Sequence, residues 1–234
     1  MKNLEEYQQP ASIADFLAEI CVDPVLGLSR DDAMKRRSLY GANRVTPPVK
    51  CPTWVCCLLP CLMRTASMKL YQKVLPREVI VRRQVIRHGQ TSSRRMRMDV
   101  TSLVYGDVVE VKAGDVAGAD LRVIECSDDC WIDQTTLVCD KNEDEEEAEQ
   151  GINRKYVKTE TPPLHLQQDI LRCSNIIPMT ATVLQGSAVA VVLSTGNHTL
   201  WGQLVSHHEW PRVPGTLLQR KKRNLNEENT SLIV

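Results

Sequence analysis

Four cysteines lie close together at Cys51, Cys56, Cys57 and Cys61, the densest group among the nine in the chain. Zinc would need a second Cys or His pair at finger spacing, and none follows closely. Apolar Leu58 and Leu59 with basic Arg64 and Lys69 nearby instead make Cys56 and Cys57 candidates for reversible thioester acylation. Asp140 opens a dense acidic run, DKNEDEEEAEQ over 140–150, that reads as a solvated loop. Arg82, Arg83, Arg87, Arg94, Arg95 and Arg97 form a basic stretch on predicted strands. It contains no Phe, Tyr or Trp, so base stacking has no platform and a solvated face, meeting the acidic run at 143–149, is the plainer reading. Asp107, Asp115 and Asp120, with Gly106, Gly114, Gly196 and Gly202, read as turn and structural residues. No Lys-Ser/Thr follows a glycine pair, so no phosphate loop is present. His207 and His208 read as exposed and without a role.

The elements that must position these residues follow from periodicity. Ile13, Phe16, Leu17 and Ile20 keep helical spacing. In GLSRDDAMKRRSLYGAN (27–43), Ser29 is a good N-cap, Asp31 and Asp32 suit the first turn, and Gly41 closes the helix. Thr46-Pro47-Pro48 is a stop. From Glu78 the pattern turns to alternation. Strands are predicted around the His88-Gly89 turn, over 108–114, over 121–127, and over 183–196 with a break at Gln185-Gly186. A run of short strands with turn signals about every 8–12 residues suits a sandwich, barrel or jelly roll. Aromatics make up 4% with one Phe, so the core must be built from Val, Leu, Ile and Ala, which favours strands.

Composition excludes several classes. Lys+Arg and Asp+Glu both number 29 in 234 residues, so a whole-chain electrostatic footprint for nucleic acid is absent. At 42% hydrophobic and 25% charged, the chain is neither disordered throughout nor collagen-like. The longest apolar stretch, Trp54 to Met63, is about half of the roughly 20 residues a membrane-spanning helix needs, and it contains Pro60. The start, MKNLEEYQQP, has no apolar signal core, which argues for reduced thiols and a cytoplasmic setting.

The order of the motifs resembles a known family. GLSRDDAMKRRSLYGANRVTPP (27–48) resembles the cytoplasmic N-terminal segment of P-type cation ATPases. VIRHGQ (85–90), VYGDVVEVKAGDVAGADLRVIEC (104–126), WIDQTTL (131–137) and LRCSNIIPMTATVLQGSAVAVVLSTGNHTLWGQL (171–204) resemble the actuator domain of the same pumps. EVKAGD, ADLRVI and NRVTPPVKCPTW are most similar to the sodium/potassium and proton/potassium pumps. The resemblance covers residues 13–205. It implies an α+β, mainly β fold: a distorted jelly-roll-like actuator with N-terminal helices. The expected layout is a helical segment over 1–46, a Cys-rich connector over 47–77 replacing the membrane hairpin, the actuator-like domain over 78–205 with an acidic loop at 140–160, and a flexible tail over 206–234.

In the family, a Thr-Gly-Glu-Ser loop reaches an aspartyl phosphate on another domain, and its Glu positions the hydrolytic water. Aligning Asp133 and Leu137 puts Val138, Cys139, Asp140 and Lys141 at those four positions. Asp140 is one methylene shorter than Glu, Cys139 disfavours positive φ, and Lys141 would hold the carboxylate ionised and paired. Gly118 stands in place of Pro in the Pro-Ala-Asp turn, a change expected to loosen it. The family's Asp-Lys-Thr-Gly-Thr phosphorylation motif and nucleotide domain have no counterpart. The expectation is therefore a truncated pseudoenzyme with no catalytic residue, cofactor or metal. It would act as an interaction or regulatory module, with P-type ATPase subunits or another protein as partner and no nucleic acid or small-molecule substrate. It is expected to be cytoplasmic or peripheral to the membrane. The alternative is an N-terminal fragment of a divergent cation-transporting ATPase.

Overall fold

A computed structural model describes residues 12–48, 66–137, 154–160 and 170–210. Two sheets face each other. Strands β1 (Glu78–Arg87), β2 (Gln90–Asp99), β3 (Val108–Lys112), β4 (Asp120–Cys126), β7 (Ile176–Ile177) and β9 (Ser187–Ser194) form a six-stranded sheet in the order β2-β1-β3-β9-β4-β7. Strands β5 (Trp131–Asp133), β6 (Arg154–Tyr156) and β8 (Thr182–Gln185) form a second sheet in the order β6-β5-β8. Every pairing is antiparallel. Apolar positions on the predicted strands fill the space between the sheets: Val81, Val109, Leu121, Val183 and Val192 are all buried, and Ile132 joins them. Valine and alanine dominate this layer, as a core almost without aromatics requires.

Helices α1 (Ile13–Glu19) and α2 (Arg30–Tyr40) close the outer face of the larger sheet. Ser29 caps α2, its hydroxyl accepting from Asp32 N at 3.1 Å, and Gly41 ends it at φ 81°. Phe16, the single phenylalanine, packs with Leu28 and Ala33 against Val108, Ile124 and Val191. The mainly β expectation therefore holds, with the N-terminal helices in contact with the β domain.

Two local departures have physical causes. Residues 66–74, part of the expected Cys-rich connector, form helix α3 (Ala66–Val74), on which Met68 and Tyr71 keep an i, i+3 spacing. Met68 is buried, and the Tyr71 ring stacks on Trp201 at 5.3 Å. The expected acidic loop of 140–160 overlaps strand β6, where Tyr156 meets Trp131 edge to face at 4.9 Å and Val157 is buried. Strands of two or three residues such as β6 and β7 carry too few positions for a period to show. Among the described residues, no helix is long and apolar enough to cross a membrane.

Candidate functional site

Residues 131–137 run up to the loop at 138–141, and the structure fixes them firmly. Asp133 Oδ1 accepts the Thr135 backbone N–H at 2.9 Å and also the Thr135 hydroxyl. Thr136 shares a hydroxyl–hydroxyl bond of 2.8 Å with Thr180, and its carbonyl accepts from Trp210 Nε1 at 3.0 Å. Buried Gln134 donates to Leu171 O at 2.9 Å. Leu137, 1% exposed, is packed with Val45, Met179, Trp201, Val205 and Trp210. Gln134, Thr136 and Leu137 are thus each tied to parts of the chain distant in sequence, while Thr135 is held locally by Asp133. Val138, Cys139, Asp140 and Lys141 themselves lie outside the described residues, as do Cys51, Cys56, Cys57, Cys61 and the acidic run 143–149.

The same cluster joins the N-terminal segment to the β domain. Asn43, 3% exposed, donates to Val100 O at 2.9 Å and Gly118 O at 2.8 Å, and accepts from Gly196 N at 2.7 Å. One amide therefore bridges two strand-connecting segments and the turn that follows β9. Beside it, Asn197 accepts from Thr46 N at 2.7 Å and donates to Thr46 Oγ1 at 2.9 Å. Gly196 sits at φ 57°, where a Cβ would come within 2.6 Å of Arg44 O, so this approach requires glycine. Helix α4 (Leu200–Ser206) follows, capped by the Thr199 hydroxyl, which accepts from Gly202 N at 3.0 Å.

The aspartates read as structural are structural. Asp120, fully buried, accepts from Met179 N at 2.7 Å and Leu200 N at 2.8 Å. Asp115 accepts from Lys112 N at 3.0 Å. Asp107 is also fully buried and takes a two-pronged contact from Arg83 at 2.9 and 2.7 Å, besides the Val104 N–H at 2.9 Å. Gly118, expected to loosen its turn, lies closely against Val100 and Val79. A Cβ there would lie 2.5 Å from Val100 Cγ2.

The basic stretch is not one uniform solvated face. Arg82 and Arg83 are largely buried and paired with Glu110 and Asp107, whereas Arg95 and Arg97 are exposed. Two buried cations escaped the sequence reading. Lys155 Nζ donates to Cys173 O at 2.7 Å and Ile176 O at 2.8 Å. Arg122 donates to Thr159 O at 3.1 Å, and burial pushes its pKa down to about 10. Nothing in LRVIECS distinguishes such an arginine from an outward one except alternation, and β4 is buried on both faces. Burial likewise raises the Cys130 thiol to about 11, which keeps it protonated and unreactive. Among the described residues, no group of three or more His, Cys, Asp or Glu could hold a metal ion.

Comparison with known proteins agrees with this architecture. Sodium/potassium-transporting ATPase subunit alpha-4 of Rattus norvegicus is 26% identical over 264 aligned positions, covering 88% of this chain and 24% of that protein. Potassium-transporting ATPase alpha chain 2 of Cavia porcellus is 27% identical over 142, covering 61% of this chain and 11% of that one. Sodium/potassium-transporting ATPase subunit alpha of Tetronarce californica is 29% identical over 140, covering 59% and 11%. The chain thus spans about a quarter or less of the length of these relatives. A solved zinc-transporting PIB-type ATPase in the E2.Pi state superposes with a TM-score of 0.36 at 19% identity, over 59% of this chain and 17% of that one, too loosely to carry weight. The family model of the P-type ATPase actuator domain matches residues 78–209, more than half of the chain. By that match, the chain belongs to the P-type ATPase actuator-domain family.

Proposed function

We propose that this chain serves as an actuator-type interaction or regulatory module without hydrolytic capacity of its own. The observation that carries the reading is a mismatch. Residues 133–137 form the intact, many-sided mount described above, while Val138, Cys139, Asp140 and Lys141 follow it where the family has Thr-Gly-Glu-Ser. Selection for a packed domain explains the mount, and hydrolysis would require the loop as well. A carboxylate drawn back by one methylene misplaces an attacking water by about 1 Å, which costs on the order of a hundredfold in rate. Lys141 beside it adds a competing ion-pair partner. The module works in the cytoplasm, with thioester acylation at Cys56 or Cys57 as its route to a membrane surface. Purified protein given radiolabelled ATP should neither hydrolyse it nor retain acid-stable label; either activity contradicts the proposal.

A second reading makes this chain part of a divergent cation-transporting ATPase. The names of its relatives favour it. The endogenous protein on an immunoblot separates the two. A band near 26.4 kDa supports the module, and one several times heavier supports the pump.

A further inference from the structure

The β1–β2 hairpin is longer than the sheet it belongs to. Its own pairing runs unbroken from Glu78↔Asp99 to Arg87↔Gln90, while β3 pairs with β1 only from Ile80 to Arg82. Beyond that, Leu28 touches β1, bridging Arg83 and accepting from Gln84 N at 2.9 Å. From Val85 to Ser92 the arm is a two-stranded ribbon. Strand β2 is the outermost of its sheet, and among the described residues nothing pairs with its far side. Residues 90–95 are all exposed.

The charge on this arm is unbalanced. The register places Arg82 opposite Arg95 and Arg83 opposite Arg94, two successive like-charge cross-strand pairs that repel. Glu110 is shared by Arg82 and Arg95, Asp107 serves Arg83, and Glu78 lies 3.5 Å from Arg97. Among the described residues, no carboxylate lies within ion-pair distance of Arg87 or Arg94. Such charge keeps a second copy of this edge from pairing with it, a common protection for an open strand. The same charge selects a strand of opposite sign.

We propose that the β2 edge is a docking site for an extended acidic segment of a partner protein, which adds as a further antiparallel or parallel strand beside Arg94, Arg95 and Arg97. The alternation of side chains decides between this partner and an anionic membrane. Arg94 shares its face with Arg83, whereas Arg95 and Arg97 share theirs with Arg82 and Ile80, so the arginines point to opposite sides of the ribbon. A flat lipid surface can collect one side only. A neighbouring strand with consecutive acidic residues sends its carboxylates to both sides and meets every arginine, while its backbone satisfies the open edge. The inference does not depend on loop 138–141 being inert.

The probe is a fluorescein-labelled peptide, Asp-Glu-Glu-Asp-Glu-Asp-Glu, a sequence absent from this chain, titrated into the full chain and followed by anisotropy. Saturable binding is expected at about 50 mM salt, weakening at least about tenfold by about 300 mM as screening sets in. The double variant Arg94→Glu/Arg97→Glu, one residue from each face, should bind at least about tenfold more weakly with an unchanged melting curve. A peptide with alternate backbone amides methylated keeps every charge and loses strand pairing, and it should not bind. Absence of saturable binding overturns the proposal. Equal binding of the methylated peptide overturns strand addition. Arginine-dependent sedimentation with phosphatidylserine vesicles that the peptide does not compete overturns the peptide assignment in favour of lipid.

Discussion

Replacing Asn43 by Ala removes the amide that ties the N-terminal segment to the β domain, and the cost can be worked from its three bonds. Gly196 N–H, bonded to Asn43 Oδ1 at 2.7 Å inside the fold, loses its acceptor, which costs about 1–3 kcal/mol. The Gly118 carbonyl loses a 2.8 Å donor, adding about 1 kcal/mol. The Val100 carbonyl suffers least, because Leu103 N still reaches it at 3.2 Å. The sum is about 3 kcal/mol. With a urea m-value of about 2 kcal/mol/M for a domain of this size, the midpoint should fall by about 1.5 M at unchanged slope. Asn43→Asp is the sharper companion. It keeps the acceptor for Gly196 but turns a carboxylate oxygen toward two carbonyl oxygens, so at neutral pH it should be no more stable than Asn43→Ala. Trypsin should also cut after exposed Arg44 sooner in both variants, since the segment opens first. A midpoint shift below about 0.5 M for Asn43→Ala, with the slope intact, would refute the assignment of Asn43 as the tie.

Three further outcomes test the packing and the charges. Arg83→Met strands the fully buried Asp107 carboxylate and should cost about 3–5 kcal/mol in a denaturant titration. Trp201→Ala empties the space between Tyr71 and Trp210, whose rings lie 5.3 and 5.2 Å from it, and should cost about 3–5 kcal/mol with loss of near-ultraviolet circular dichroism. Cys130, held up at about 11 by burial, stays a thiol while the unfolded chain ionises at its ordinary value near 9. The unfolded state then binds fewer protons, so this group's contribution to stability is whole below about pH 9 and is lost as pH rises toward 11. The melting temperature of Cys130→Ala should therefore fall less steeply across that window than that of the parent, and identical slopes would contradict the buried thiol.

Much of this architecture is legible in the residues, for reasons that can be named. Long segments rich in β-branched residues and bounded by turn signals, such as Glu78–Arg87 and Ser187–Ser194, became strands because composition and punctuation both mark them. Ser29 and Gly41 bracketed α2 because caps act locally. What stayed hidden depends on distant partners. Asn43 carries nothing in its neighbours to announce that Gly118 and Gly196 lie beside it. The paired Arg83–Asp107 is separated by β2 and a turn, so the basic stretch looks uniform until the sheet is formed. Lys155 sits in a three-residue strand whose burial is set by the carbonyls of 173 and 176 rather than by its own pattern. The root of the candidate loop was placed by its resemblance to the family, while its rigidity, through Thr136, Thr180 and Trp210, is a tertiary property.

The central claim is that a well-built actuator mount carries a loop that no longer performs hydrolysis. The direct measurement is phosphoenzyme decay in a pump whose own actuator Glu has been disabled, with and without this protein added in excess. The account predicts unchanged decay, and the same decay with the Asp140→Asn variant. Faster decay that disappears in Asp140→Asn would show a working actuator and contradict it.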